Sequence, residues 1–368
     1  MPSIQGYKWI VCCILLAMSF HLAVAQASDN ANEAASYQKR SALGIAHLQS
    51  WYDPTTGLYK TTGWWNSANA ITALADYKRI AGDKQYADVF PTTFSAAQHK
   101  FADYLNDYYD DEGWWALAWI DVYDITHDPQ HLRMSASIFE DMAKGWDTTC
   151  SGGIWWSKER KYKNAIANEL FLSVAAHLLT REKNKKQQAY YLDWANREWQ
   201  WFSHTGMINA DHLINDGLDA QCVNNHRTTW SYNQGVILGG LSELYTRTHE
   251  APLLAQADSI AAATLSSPTL TDAHGILHDP CEPKCGGDGT QFKGIFARNL
   301  ALLYHVSPSP RYKTFLLANA DSVWAGMEPP DYGIGVAWAA PYGTIDASTQ
   351  SSGDDALIAA ASVSHTKR

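Results

Sequence analysis

The chain has 368 residues, 46% of them hydrophobic, and a formal net charge of -10 at pH 7. Such a length and composition can bury a large core. The acidic balance argues against a nucleic-acid partner, because phosphate binding requires a basic face and the single basic cluster, residues 181–186, is too short to form one.

The N-terminus has the features of a secretory signal peptide. Lys8 precedes an apolar stretch, Trp9–Ala25, which ends in the small-residue pattern AVA and contains His21. The stretch is shorter than the roughly 20 residues of a membrane-spanning helix. We expect residues 1–25 to be removed and residues 26–368 to be secreted as a single domain, with a poorly structured C-terminal tail that lacks a lipid-anchor signal.

The rest of the chain repeats one pattern six times. An aromatic loop is followed by apolar residues with a period of 3.6, then by a polar break and a second amphipathic stretch. In chain order, the loops are at residues 63–65, 111–115, 153–156, 229–232, 289–292 and 351–353. Six helical hairpins that close on themselves predict an all-α fold, the (α/α)6 barrel, with the loops lining a cavity at one rim.

Cysteine and aromatic residues add two expectations. Four cysteines follow the leader, namely Cys150, Cys222, Cys281 and Cys285, and an even number in a secreted chain predicts disulfides. The pairs 281/285 and 150/222 are possible, although spacing leaves the connectivity open. The 16 Trp and 19 Tyr exceed what the core requires, and flat amphipathic rings suit the apolar faces of sugars.

The motif with the most chemical information is YYDDEGWW at residues 108–115. Acids just before a helix can simply cap its free N–H groups. Glycosidic cleavage, however, requires one carboxylic acid and one carboxylate at the same linkage, and closely placed acids take different protonation states. We therefore predict that Asp110 and Asp111 form a catalytic pair, with the short spacing of a retaining enzyme.

Several motifs in one order resemble glycoside hydrolase family 76, the endo-α-1,6-mannanases and their fungal cell-wall relatives. They are YDDEGWWALAWI at 109–120, YDIT at 123–126, WD at 146–147, GGIWW at 152–156, KN at 163–164, Asn168, TWSYNQG at 229–235 and FKGIF at 292–296. The resemblance extends over residues 51–361. It implies an (α/α)6 barrel, a retaining mechanism on α-1,6-mannan, Asp110 as the nucleophile and Asp111 as the general acid/base.

Further residues of these loops are candidates for contacting the sugar, and several of them have a structural alternative. Trp114 and Trp115 could stack on sugar, or one of them could face the core. Asn164 and Asn233 could bind hydroxyl groups or bridge helix ends. Asp216 lies in an apparent turn, NDG. The remaining two candidates, Tyr232 and Trp65, occupy equivalent rim positions.

We expect a monomer that acts on a mannose-rich glycan without cofactor or metal. A zinc enzyme on the same fold is the first alternative, but no HExxH or CxxC motif is present. The second is a cell-wall protein that binds mannan or transfers glycan ends between chains. The third is an unsaturated-uronide hydrolase, whose acidic substrate would require Arg or Lys in loops that are poor in both.

Overall fold

The structure is a computed structural model that describes residues 31–82 and 84–364. The predicted signal peptide lies outside these residues. The described part has twelve α-helices and a short antiparallel hairpin, Tyr52–Asp53 with Leu58–Tyr59. The helices are α1 (31–49), α2 (Trp64–Ala81), α3 (Val89–Ala96), α4 (Tyr109–Thr126), α5 (Pro129–Ala143), α6 (Ala165–Arg181), α7 (Lys185–Phe202), α8 (Ser231–Thr248), α9 (Ala251–Ser266), α10 (Phe292–Val306), α11 (Pro310–Ala325) and α12 (Ala347–Ser364).

The even-numbered helices form a closed inner ring. Each of α2, α4, α6, α8 and α10 packs against the next, and α12 packs against both α10 and α2. The outer helices α5, α7 and α9 pack mainly on the inner helix that precedes them, and α11 packs on both α10 and α12. The prediction of an (α/α)6 barrel is therefore confirmed.

The inner helices are buried on nearly every side, unlike ordinary amphipathic helices. In α6 and α12 almost all side chains are buried, and many of them are small. Small residues let inner helices approach closely: a Cβ atom on Gly235 of α8 would lie 2.6 Å from the Cα atom of Phe296 of α10. By contrast, α5 buries one face and begins with an Asp128 cap followed by Pro129.

The predicted helix starts are correct at three loops and displaced at three. Helices α2, α8 and α10 begin within their predicted loops, whereas α4 begins at Tyr109, two residues early. Helix α6 begins nine residues after Trp156. The loop before it stays extended because the Asn168 side chain accepts the backbone N–H of Ile154 and donates to the carbonyl of the same residue. Helix α12 begins before its predicted loop, at Ala347.

Two further expectations concern the chain ends and the cysteines. The chain is helical and buried up to Ser364, so a poorly structured tail is excluded to that point; residues 365–368 lie outside the described part. The disulfides are Cys150–Cys222 and Cys281–Cys285, as the spacing suggested. Between residues 31 and 364, leaving aside residue 83, no helix is long and apolar enough to cross a membrane.

Candidate active site

A cavity of about 790 Å³ opens at the rim where the inner helices begin. Its walls come from the first two turns of α2, α4, α8 and α10, from the loops before α4, α8 and α10, and from the loop before α6. Four aspartates and many aromatic rings line it. The lining residues are Trp65, Tyr108, Asp110, Asp111, Trp114, Trp156, Tyr162, Asn164, Asp216, Arg227, Trp230, Tyr232, Cys281, Cys285, Asp288, Gly289 and Phe292.

Asp110 and Asp111 lie in the first turn of α4 and both line the cavity. The sequence had placed them just before the helix, whereas they are its second and third residues. Tyr108, the residue before α4, has an extended backbone and provides no side-chain cap. The free N–H groups of this helix start therefore lie close to the two carboxyl groups, where the positive helix end favours negative charge.

Asp110 accepts one hydrogen bond from a tryptophan. The Nε1–H group of Trp156 donates to Oδ2 of Asp110 at 2.9 Å. The other carboxyl oxygen, Oδ1, is buried and has no partner among the described residues. Burial, and secondarily the charge of Asp111, raises the pKa of Asp110 well above its usual value, while the Trp156 bond acts in the opposite direction.

Asp111 accepts a hydrogen bond from an amide and also titrates above the normal range. The Nδ2 group of Asn106 donates to Oδ2 of Asp111 at 2.6 Å. Burial raises the pKa of Asp111 to about 6, against the lowering effect of Asn106; the charge of Asp288 raises this pKa further and that of Lys100 lowers it. Both members of the pair thus hold a proton to higher pH than an isolated carboxyl group does.

The orientation of the Asn106 amide is fixed by its other contacts. Its Oδ1 atom accepts the backbone N–H of Tyr108 at 2.9 Å, so the Nδ2 group must point towards Asp111. Its own backbone N–H donates to Glu112 at 3.3 Å, and Glu112 is paired with Lys158 at 2.7 Å. Glu112, the third acid of the motif, therefore supports the loop instead of entering the cavity.

Aromatic rings form the cavity walls in stacked pairs. Trp65 stacks on Trp114 with ring centroids 5.7 Å apart and an angle of 26°. Tyr232 stacks on Phe292 at 3.8 Å and 16°. Because sugars offer apolar C–H faces with hydroxyl groups at the rim, walls of this kind suit a carbohydrate.

The segments that carry Asp216 and Asn164 are joined by backbone hydrogen bonds. Asp216 Oδ2 accepts the hydroxyl of Tyr162 at 2.5 Å, and the Asp216 carbonyl accepts the N–H of Ala165 at 2.9 Å. Asn164 caps α6 through its Oδ1 atom, which accepts the N–H of Ala167 at 3.3 Å. The helix-end alternative is thus correct for Asn164, although this side chain lines the cavity as well.

Two predicted contact residues do not line the cavity. Trp115 is fully buried and packs against Trp64, Tyr104 and Trp119. Asn233 is fully buried too, with neither amide atom bonded within the described part of the chain. Adjacent residues on a helix point about 100° apart, so when Trp114 and Tyr232 face the cavity, their successors face the core.

Sequence reasoning missed several lining residues. Trp156 and Tyr108 stood in motifs already noted, and their aromatic character was a usable signal. Asn106 and Asp288 carried no signal, because each is a single polar residue in a loop and gains its role only from what lies opposite. In residues 31–82 and 84–364, no group of three or more His, Cys, Asp or Glu side chains is arranged to hold a metal ion.

The sequence profile described as Glycosyl hydrolase family 76 matches residues 30–365, nearly the whole chain. The chain belongs to glycosyl hydrolase family 76. The resemblance stated from the sequence motifs is therefore confirmed.

The family 76 chain is similar to curated fungal proteins. It is 25% identical over 349 residues to mannan endo-1,6-α-mannosidase DCW1 of Saccharomyces cerevisiae, an alignment covering 85% of this chain and 74% of that protein. It is 28% identical over 276 residues to DCW1 of Eremothecium gossypii, covering 67% of this chain and 59% of that protein. Matches to two Schizosaccharomyces pombe proteins span 62% and 63% of their lengths, so the chain corresponds to about three fifths of several relatives.

Solved structures share the fold. The GH76A α-1,6-mannanase from Salegentibacter sp. superposes with a TM-score of 0.79 at 24% identity, covering 88% of this family 76 chain and 99% of that one. An inactive variant of the same mannanase, in which two consecutive aspartates are replaced by alanine, was solved with α-1,6-mannotetrose; its TM-score is 0.78 at 22% identity, with 88% and 98% coverage.

Proposed function

We propose that this protein is a secreted, retaining glycoside hydrolase that cleaves α-1,6-mannosidic linkages within mannan through a glycosyl-enzyme intermediate. The observation that carries the proposal is the pair Asp110 and Asp111, two adjacent half-buried residues whose carboxyl groups line one sugar-sized cavity. Retaining hydrolysis requires two such groups with different protonation states.

The comparisons support the choice of substrate. The fungal relatives are named mannan endo-1,6-α-mannosidases. The Salegentibacter mannanase lost its activity in a variant with two consecutive aspartates replaced, and this chain has two consecutive aspartates at the first turn of α4. The stacked pairs formed by Trp65 and Tyr232 provide apolar faces against which mannose rings can pack.

In the first half of the reaction, the carboxylate of Asp110 attacks the anomeric carbon while Asp111 gives its proton to the departing glycosidic oxygen. The bond from Asp110 to the sugar forms as the glycosidic bond breaks, and the product with a free hydroxyl leaves. In the second half, Asp111 takes a proton from water, whose oxygen attacks the anomeric carbon and releases Asp110 as a carboxylate. The configuration is inverted twice and therefore retained.

Neighbouring groups fit these roles. The Trp156 N–H group favours the ionised form of Asp110 that a nucleophile requires, and it acts against burial and the charge of Asp111, which together raise the pKa of Asp110 well above its usual value. For Asp111, a pKa of about 6 allows the group to give up and regain its proton near neutral pH. Trp65, Trp114, Asn164, Asp216 and Tyr232 remain the proposed sugar-contacting side chains, since all five line the cavity.

We further propose that residues 26–368 form one catalytic domain that acts as a secreted monomer after removal of residues 1–25. Two disulfides fit an oxidising compartment outside the cell or in the cell wall. Size-exclusion chromatography and N-terminal sequencing of the exported protein would test these two points.

The decisive experiment is the digestion of linear α-1,6-mannan, with products separated by size and their anomeric configuration followed by NMR from the first minutes. We expect a ladder of oligosaccharides released first as the α-anomer. Matched Asp110→Asn and Asp111→Asn variants, checked for an unchanged melting temperature, should each lose several orders of magnitude in kcat.

Each other outcome has its own meaning. Products longer than the substrate would assign transglycosylation, the alternative suggested for cell-wall proteins. Mannan that is bound without cleavage would favour a binding protein. Mannan that is neither bound nor cleaved would refute the substrate assignment.

A further inference from the structure

Asp288 is an acid on the wall opposite the catalytic pair. It lies in the loop before α10, just after the small loop that the Cys281–Cys285 disulfide closes. Its Oδ1 atom accepts the indole N–H of Trp65 at 3.2 Å, and Trp65 belongs to the first turn of α2. The carboxylate is thus held from two walls of the barrel and faces the cavity that contains Asp111.

The charges that act on Asp111 come from three parts of the chain. Asp110 precedes it on the same helix and titrates together with it. Lys100, in the segment before α4, favours the ionised form, as does the hydrogen bond from Asn106. Asp288 is the opposing influence from across the cavity, because its negative charge disfavours a second negative charge on Asp111.

The other acids near this site are occupied elsewhere. Glu112, one residue further along α4, is buried and paired with Lys158 at 2.7 Å. Asp216 accepts the Tyr162 hydroxyl at 2.5 Å on a different wall. Neither of these two acids is among the charges that shift the titration of Asp111, which leaves Asp288 as the acid outside α4 that does so.

We propose that Asp288 is a positioning residue for the acid/base Asp111, which keeps the transferable proton on that carboxyl group from the opposite wall. The inference rests on the proposed hydrolase function. In the reaction, a protonated Asp111 can donate to the glycosidic oxygen, whereas an ionised one cannot. Asp288 therefore adds to the effect of burial and extends to higher pH the range in which the first half of the reaction proceeds.

Asp288→Asn removes the charge and retains the size and hydrogen-bonding capacity of the side chain. Charges across a solvated cavity shift a neighbour's pKa by roughly 0.5 to 1 unit, so the basic limb of the pH profile of kcat/KM should move to lower pH by about that amount. Lys100→Gln removes the opposing charge and should move the same limb to higher pH. Asp288→Glu, which restores the charge, should return the limb towards that of the wild type.

A second readout does not depend on activity. In substrate-free protein labelled with ¹³C-aspartate, the carboxyl resonance that Asp111→Asn removes should titrate at lower pH in Asp288→Asn and at higher pH in Lys100→Gln. An unchanged titration in Asp288→Asn, or shifts of the same sign in both variants, would overturn the inference. Wild-type protein that fails to cleave mannan would instead overturn the proposed function, and the titration would still decide the role of Asp288.

Discussion

Replacing Trp156 with Phe tests the hydrogen bond that the proposed catalytic pair receives from the neighbouring loop. The substitution keeps an aromatic ring beside Tyr108, whose centroid lies 5.0 Å from the Trp156 ring, and removes the five-membered part of the indole with the N–H group that donates to Asp110 at 2.9 Å. Among the side chains of the described residues, Trp156 is the one that bonds the Asp110 carboxyl group; the backbone N–H groups of Asp110 and Asp111 are the other donors that favour its ionised form.

The expected cost follows from the type of bond. A hydrogen bond to a charged group contributes roughly 1.5–3 kcal/mol, and we take about 1–2 kcal/mol because Trp156 is 38% exposed. This corresponds to a decrease in kcat/KM of roughly 5- to 30-fold. The bond also favours the ionised form of Asp110, so its loss raises the pKa of that group. Since the proposed nucleophile Asp110 must be ionised to react, the acid limb of the pH profile of kcat/KM should move to higher pH.

The assay is kcat/KM for a reduced α-1,6-linked mannooligosaccharide, measured from pH 3 to pH 9 at constant ionic strength. Trp230→Phe is the matched control, because Trp230 lines the same cavity without bonding to either catalytic aspartate. It should leave the acid limb in place, whatever it does to KM. A Trp156→Phe enzyme with the wild-type acid limb and near-normal kcat/KM would refute the reasoning.

Three further predictions concern stability. Glu169 is buried, neither of its carboxyl oxygens is bonded in the described part of the chain, and burial raises its pKa well above 4.5. As pH rises, the unfolded chain therefore loses this proton before the folded protein does, and the free energy of unfolding should fall above pH 4.5. Glu169→Gln should flatten this dependence on pH, measured by unfolding in urea. In Gly217→Ala, the new Cβ atom would lie 2.8 Å from the Asn164 Cα atom and from the Lys163 carbonyl oxygen, so we expect the free energy of unfolding to fall by about 1–3 kcal/mol. Gly287→Ala is the control, because a Cβ atom there meets no atom within 4 Å and should leave stability unchanged. Removing Cys150 and Cys222 together should cost about 2–4 kcal/mol, because their disulfide closes a long loop; an unchanged melting temperature would contradict this.

The amino-acid sequence was sufficient for the architecture, and it singled out the two acids that we propose as the catalytic pair. The recurring 3.6-residue pattern after six aromatic loops predicted the barrel, because helix periodicity is a local property that survives in any packing. The adjacent acids Asp110 and Asp111 could be selected because their chemistry, two carboxyl groups at one place, is visible in the chain itself. The even number of cysteines predicted disulfides, whereas the pairing of Cys150 with Cys222 and of Cys281 with Cys285 came from the structure.

Only the tertiary structure decided which residues face the sugar cavity. The sequence treats Trp114 and Trp115 alike, yet the rotation of α4 in the ring points the first into the cavity and the second into the core. The sequence gave no reason to connect Asn106 or Asp288 with Asp111, since residues 111 and 288 come to line the same cavity only after the barrel closes. Burial and charge, which set the protonation of the pair, depend on every wall of the cavity, and no local pattern encodes them.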